Sequence, residues 1–223
     1  MTQTNIYNCD AWQMIETMPD KSVDCIITDP LYDGVLNLDE LKRICRGNIV
    51  VFCSPENQFF KPDEFAFWVK TPSTKNYSKH VGRFVEMILI LRGGAFNCLH
   101  WSQMTGVYDD RHIAAPSHPF EKPLSLMERL VRIYSNKGDL VFDPFMGSGS
   151  TIKACQNLGR RSIGCEIDPK TFESTSQSVT QRRNRAQQSV HLTGGGLRRF
   201  RVLSASRSES CYLRESASRT TSR

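Results

Sequence analysis

The chain has 223 residues, of which 39% are hydrophobic and 23% charged, a net charge of +6 and a mean hydropathy of −0.40. That length supports one sizeable core and is short for two enzymatic domains. No apolar run reaches the roughly 18 residues of a membrane span, and the first residues show no basic and apolar signal pattern, which excludes a membrane partner and points to a cytoplasmic protein. Eight cysteines form no CxxC pair, and several lie inside apolar runs such as "DCIIT" and "VVFCS". They read as reduced core thiols rather than disulfides or a zinc site, and no metal-ligand cluster is visible.

In chain order, "NIYNC" reads as a short strand and "DAWQMIETM" as a helix with Asp10 at its N-cap. "SVDCIIT" is a buried strand, "NLDELKRIC" a helix and "NIVVFCS" another buried strand. This β-α-β-α-β alternation predicts an α/β fold, a mostly parallel sheet with helices on its faces. Residues 55–117 are irregular, with strands at "EFAFWVK" and "FVEMILILR" and a long polar loop between them. "PLSLMERLVRIYS" has the apolar spacing of an amphipathic helix. "DLVFD" is a strand, "STIKACQNLG" a helix ended by Gly159, and "RSIGCEID" a strand. "PKTFESTSQSVTQRRNRA" is a polar helix with Pro169 at its first position.

Residues 186–223 are rich in Ser, Arg and Thr and hold seven Arg, no Lys and two Glu, a net of +5. That leaves +1 for residues 1–185, so the overall basicity belongs mostly to the tail and says little about the body's partners. The tail has too few apolar residues for a core and reads as disordered. A nucleic-acid-binding arm is one alternative, a segment without a role another. The expected organisation is one domain over residues 1–185, followed by this tail.

"DLVFDPFMGSGST" combines a buried strand ending in Asp143, a turn with glycines at 147 and 149, and the start of a helix. Such a turn lets the backbone approach a ligand and presents free N–H groups to it. It is neither a Walker A loop nor a full GxGxxG fingerprint, because position 152 is Ile. Glu166 ends the next strand, 17 residues after Gly149, where doubly wound folds place the acid that accepts a ribose diol. Together these features point to an adenosine-containing ligand. The bland alternative is a tight strand-to-helix turn with Glu166 solvated.

Three stretches, "TDPLY", "HPFEKPLSLMERLV" and "GDLVFDPFMGSGST…LGRRSIGCEID", together resemble the β-group amino-DNA methyltransferases. The likeness covers about residues 5–175, strongest from His118 to Asp168, and has the family's permuted order with the catalytic tetrad before the cofactor loop. It implies a doubly wound Rossmann-like methyltransferase sheet, S-adenosylmethionine as methyl donor, and double-stranded DNA as substrate, modified at adenine N6 or cytosine N4. It also implies that Asp143, Pro144, Phe145, Gly147, Ser148 and Gly149 wall the methionine part of the cofactor. Glu166 then holds the ribose hydroxyls, Asp10 lies near the adenine, and Lys122 of the "HPFEKP" signature faces the cofactor carboxylate. Residues 55–117 are the room left for target recognition.

In the tetrad "DPLY", the resemblance makes Asp29, Pro30 and Tyr32 catalytic. An exocyclic base amine is a poor nucleophile, because its lone pair is delocalised into the ring. The Asp29 carboxylate and the Pro30 carbonyl would accept the amine hydrogens, and Tyr32 would stack on a base swung out of the duplex. The family usually has a second proline where this chain has Leu31, which restores backbone freedom and an N–H. The resemblance also implies that Asp29, rather than serine, favours adenine N6. A cytosine-N4 enzyme and a catalytically silent relative are the alternatives, and a nicotinamide-dependent dehydrogenase is disfavoured by the incomplete glycine pattern. Restriction-modification is one biological use among several.

Overall fold

A computed structural model of the chain describes residues 3–30, 36–54, 60–70, 85–97, 106–109 and 121–191, with side chains of the last helix as far as residue 181. The elements are β1 (Thr4–Asn8), α1 (Ala11–Thr17), β2 (Val23–Thr28), α2 (Leu38–Ile44), β3 (Cys45–Cys53), β4 (Glu64–Val69) and β5 (Val85–Leu91), followed by β6 (Val107–Tyr108), α3 (Leu124–Tyr134), β7 (Leu140–Asp143), α4 (Ser150–Leu158), β8 (Arg161–Glu166) and α5 (Pro169–His191). The predicted helices and strands are present. Three details differ. β3 begins at Cys45, not Asn48, because Arg46 pairs with Asp24 at 2.5 Å and the backbone of Gly47 passes against the Asp24 carbonyl. The short strand β6 lies in the segment read as irregular. And α5 continues to His191, so residue 185 falls inside a helix.

The eight strands among the described residues form one sheet in the order β1-β8-β7-β2-β3-β5-β4-β6. From β1 to β3 every neighbour is parallel, β5 runs antiparallel to both β3 and β4, and β6 is parallel to β4. The sheet is therefore mixed and mostly parallel. β2 and β7 are adjacent, yet their chains leave in opposite directions: β2 leads through α2 to β3, and β7 leads through α4 to β8. Their carboxyl ends flank a topological switch point, the crevice where open α/β sheets bind ligands.

Alternation along the strands sends neighbouring side chains to opposite faces. Ile26 joins the core beneath α1 and α2, with Met14, Ile15, Leu41, Ile44, Ile49, Val51 and Phe142. Cys25 and Ile27 join the core beneath α3 and α4, with Val50, Phe52, Trp68, Ile88 and Ile90. A third cluster packs α5 onto the β1 edge through Ile6, Met146, Ile152, Phe172 and Val179. An isolated helix of 11 residues is marginal in water, so packing must hold α3 in place. Its buried Leu126, Met127, Leu130, Val131, Ile133 and Tyr134 do so, since burying a large apolar side chain contributes about 1.5–3 kcal/mol. Five of the six described cysteines are buried, in the apolar surroundings the sequence predicts.

Candidate active site

Asp29 and Pro30 follow directly on β2, and Asp143 ends the neighbouring strand β7. The two strands are tied at their carboxyl ends, where the Thr28 hydroxyl donates to Asp143 Oδ1 at 2.8 Å. The Phe145 N–H donates to the same oxygen at 3.2 Å, and the Thr151 hydroxyl at the start of α4 also bonds the carboxylate. Asp143 is thus the acceptor around which the turn closes. Its burial pushes the carboxyl up to about 6, against the opposing pull of these three hydrogen bonds.

The turn itself requires glycine. Gly147 and Gly149 have φ of 48° and 74°, the left-handed region that side chains resist. A Cβ on Gly149 would also lie 2.7 Å from Thr175 Cγ2 of α5. At Gly147, by contrast, a Cβ would meet nothing within 4 Å among the described residues, so this backbone borders open space. The Gly147 N–H donates to Glu166 Oε2 at 3.1 Å, its carbonyl accepts from the Thr175 hydroxyl at 2.7 Å, and the Asp168 N–H donates to Glu166 Oε1 at 2.8 Å. Each carboxylate oxygen of Glu166 therefore has one backbone partner and keeps a second lone pair.

Asp10 caps α1, accepting from the N–H groups of Trp12 (2.7 Å) and Gln13 (3.3 Å). The adjoining β1 pairs Asn8 with Glu166, and the Trp12 ring meets Phe145 edge-on with centroids 5.8 Å apart. Asp10, Phe145, Gly147 and Glu166 consequently border the carboxyl ends of β1, β8 and β7, with Pro144 in the intervening turn. Ser148 and Ser150 share a hydroxyl–hydroxyl hydrogen bond of 3.1 Å, and Ser150 Oγ donates to the Lys122 carbonyl at 3.0 Å. The glycine turn is thereby fastened to the residues that lead into α3.

Lys122 is 7% exposed, and its ammonium hydrogen-bonds Asp29 Oδ2 and lies 3.1 Å from Glu86 Oε2 on β5. Glu86 Oε1 in turn pairs with Lys70, just after β4. Burial raises the Asp29 carboxyl above its ordinary range, although Lys122 opposes that rise. Burial works to lower the Lys122 ammonium, but Asp29 and Glu86 outweigh it and hold it above its ordinary value. The remaining oxygen, Asp29 Oδ1, is buried without a hydrogen-bond partner among the described residues. An unpaired buried acceptor is costly, so its place at the switch point asks for a ligand donor.

Of the residues the sequence singles out, Asp10, Asp29, Pro30, Lys122, Asp143, Pro144, Phe145, Gly147, Ser148, Gly149 and Glu166 are gathered along this edge of the sheet. Leu31, Tyr32, His118 and residues 192–223 lie outside the described residues. Sequence reasoning missed Glu86, Thr28 and Trp12. Glu86 had a signal: one acid within the otherwise apolar "VEMILIL" must find a partner once that strand is buried.

A family model described as DNA methylase, covering N6 and N4 enzymes, matches residues 46–177. A type II methyltransferase, M.HpaI of Haemophilus parainfluenzae, is 39% identical over 226 residues, spanning 76% of this chain and 72% of the relative. The crystal structure of the M1.HpyAVI–SAM complex superposes with a TM-score of 0.63 at 28% identity, covering 79% of this chain and 100% of that one. The cytosine-N4-specific PvuII DNA methyltransferase shares the fold at a TM-score of 0.62 and 15% identity, over 83% of this chain and 93% of its own. The chain belongs to the N6/N4 DNA methylase family and is a methyltransferase.

Proposed function

We propose that the chain transfers the methyl group of S-adenosylmethionine to N6 of adenine in double-stranded DNA. The observation that carries this reading is the buried Asp29 Oδ1, without a partner among the described residues, beside the glycine turn at the switch point. The open space before Gly147 and the spare lone pairs of Glu166 suit a nucleoside with a diol. Glu166 would take the ribose hydroxyls, Asp10 would lie by the adenine, and the turn from Asp143 to Gly149 would wall the methionine part. Bound there, S-adenosylmethionine supplies an electrophilic methyl on sulfur.

The protein's own task is to make a base amine nucleophilic and to hold it in line. Asp29 Oδ1 and the Pro30 carbonyl accept the two amine hydrogens, which favours a pyramidal nitrogen with a localised lone pair. Burial makes the Asp29 carboxylate a stronger acceptor than an exposed one, so the proton displaced from nitrogen has a destination at Oδ1. Tyr32 stacks on the extruded base, a contact that contributes about 1–3 kcal/mol per base. Positioning accounts for the remainder.

Residues 1–185 form the methyltransferase domain in this reading, with 55–117 as target-recognition region and the cytoplasm of a bacterial or phage-infected cell as its place. The type II relatives favour a role in restriction-modification. Incubating the protein with S-adenosylmethionine and unmodified duplex DNA should yield N6-methyladenine on nucleoside mass spectrometry, and N4-methylcytosine instead would refute the adenine assignment. Asp29→Ala should abolish turnover and leave cofactor binding by calorimetry nearly unchanged; undiminished turnover would remove Asp29 from the mechanism.

A further inference from the structure

The site holds four charges in alternating order: Lys70, Glu86, Lys122 and Asp29. Glu86 is 9% exposed and belongs to β5, far in sequence from the glycine turn and the tetrad. Its register explains its presence here. β5 runs antiparallel to β3 and pairs Met87 with Cys53, so Glu86 sits beside the carboxyl end of β3, on the same edge as Asp29. The Phe52 and Trp68 rings lie 5.1 and 6.0 Å from the Lys122 ammonium and shield it from water.

In this shielded place a lone lysine would settle wholly on a lone carboxylate. A fully paired carboxylate is a weaker acceptor for a substrate amine. A second anion divides the ammonium between two partners. We propose that Glu86 is a positioning residue for methyl transfer: it shares the Lys122 ammonium with Asp29, and so leaves Asp29 Oδ1 directed at the acceptor site and basic enough to receive an amine hydrogen. Lys70 sets how much of Glu86 is available to Lys122. This inference rests on the reading of Asp29 as the catalytic acceptor.

Among the described residues, further titratable groups face this row of charges. Asp143 on β7 is raised in part by Asp29, and the Cys53 thiol on β3 is pushed up to about 12 by burial and by Asp29 and Glu86. Glu86 raises the Asp29 carboxyl, whereas Lys122 and Lys70 lower it. Removing the Glu86 charge therefore lowers the Asp29 carboxyl twice, by ending a repulsion and by giving Asp29 all of Lys122. Removing Lys70 acts in the opposite direction.

The test is steady-state methylation of an unmodified duplex across pH by wild type, Glu86→Gln and Lys70→Met, with cofactor binding by calorimetry as the fold control. Activity falls on the acid side as Asp29 takes a proton. In Glu86→Gln that acid limb should move to lower pH, and kcat at the optimum should drop about ten- to a hundredfold, as misplaced reacting groups cost, with KM for the cofactor within about twofold. In Lys70→Met the limb should move to higher pH. An unmoved limb with unchanged kcat in Glu86→Gln overturns the proposal, as does movement in the same direction in both variants. Should Glu86→Gln fail to bind cofactor, Lys70→Met decides alone, since Lys70 is 23% exposed and tolerates replacement; an unmoved limb there overturns it. A wild type that methylates no DNA amine overturns the proposed function itself, a result distinct from unmoved limbs in an active enzyme.

Discussion

Asp143→Asn should make the folded chain more stable at about pH 8 and not at about pH 4. The Asp143 carboxyl sits at about 6 in the folded protein against an ordinary 3.8. Because the folded value is the higher one, the native state between those limits holds a proton that the unfolded chain has released. Stability from this group therefore falls as pH rises from about 4 to 6 and stays low above that. At about 1.36 kcal/mol per unit, ionised Asp143 costs the native state on the order of 3 kcal/mol at about pH 8.

Asparagine removes the charge and keeps much of the geometry. Its oxygen can still accept from Thr28 and Phe145, and its amide can donate to Thr151, whose hydroxyl accepts as readily as it donates. Loss of one such hydrogen bond costs about 0.5–1.5 kcal/mol, which leaves a net gain of about 1.5–2.5 kcal/mol at about pH 8. Urea unfolding followed by tryptophan fluorescence at several pH values measures this directly. A variant less stable than wild type by the same amount at about pH 4 and 8 would refute the reasoning, because the charge would then carry no cost.

Two further perturbations probe the glycine turn and the tail. Gly149→Ala should destabilise by about 2–4 kcal/mol and weaken cofactor binding, because the left-handed φ of 74° and the Thr175 methyl both oppose a Cβ. Adding Thr175→Ser should recover part of that loss in urea melts, since it removes the clashing methyl and keeps the hydroxyl that bonds the Gly147 carbonyl. Deleting residues 192–223, which begin after α5 and hold the tail's seven Arg, should leave specific activity largely intact. If the tail grips DNA, the deletion will instead flatten the salt dependence of duplex binding.

What the sequence disclosed was local, and what it withheld was long-range. Asp10 as N-cap, the turn from Asp143 to Gly149 and Gly159 as the stop of α4 are each fixed by residues within a few positions, so their chemistry reads along the chain. Glu166 was legible because strand-turn-helix-strand spacing sets where the next strand ends. The sheet order was not: Asn8 pairs with Glu166 across 158 residues, and no local pattern announces that β1 lies outside β8. The same reason hid the true surroundings of Lys122. The family signature directs that lysine toward a cofactor, and among the described residues it also meets Asp29, 93 residues away, and Glu86, which arrives by the antiparallel register of β5 on β3. The resemblance could propose a catalytic acid from a tetrad. Only the folded sheet shows that this acid shares its lysine with a second, buried carboxylate, and in the proposed reading that arrangement sets how basic Asp29 Oδ1 is when an amine reaches it.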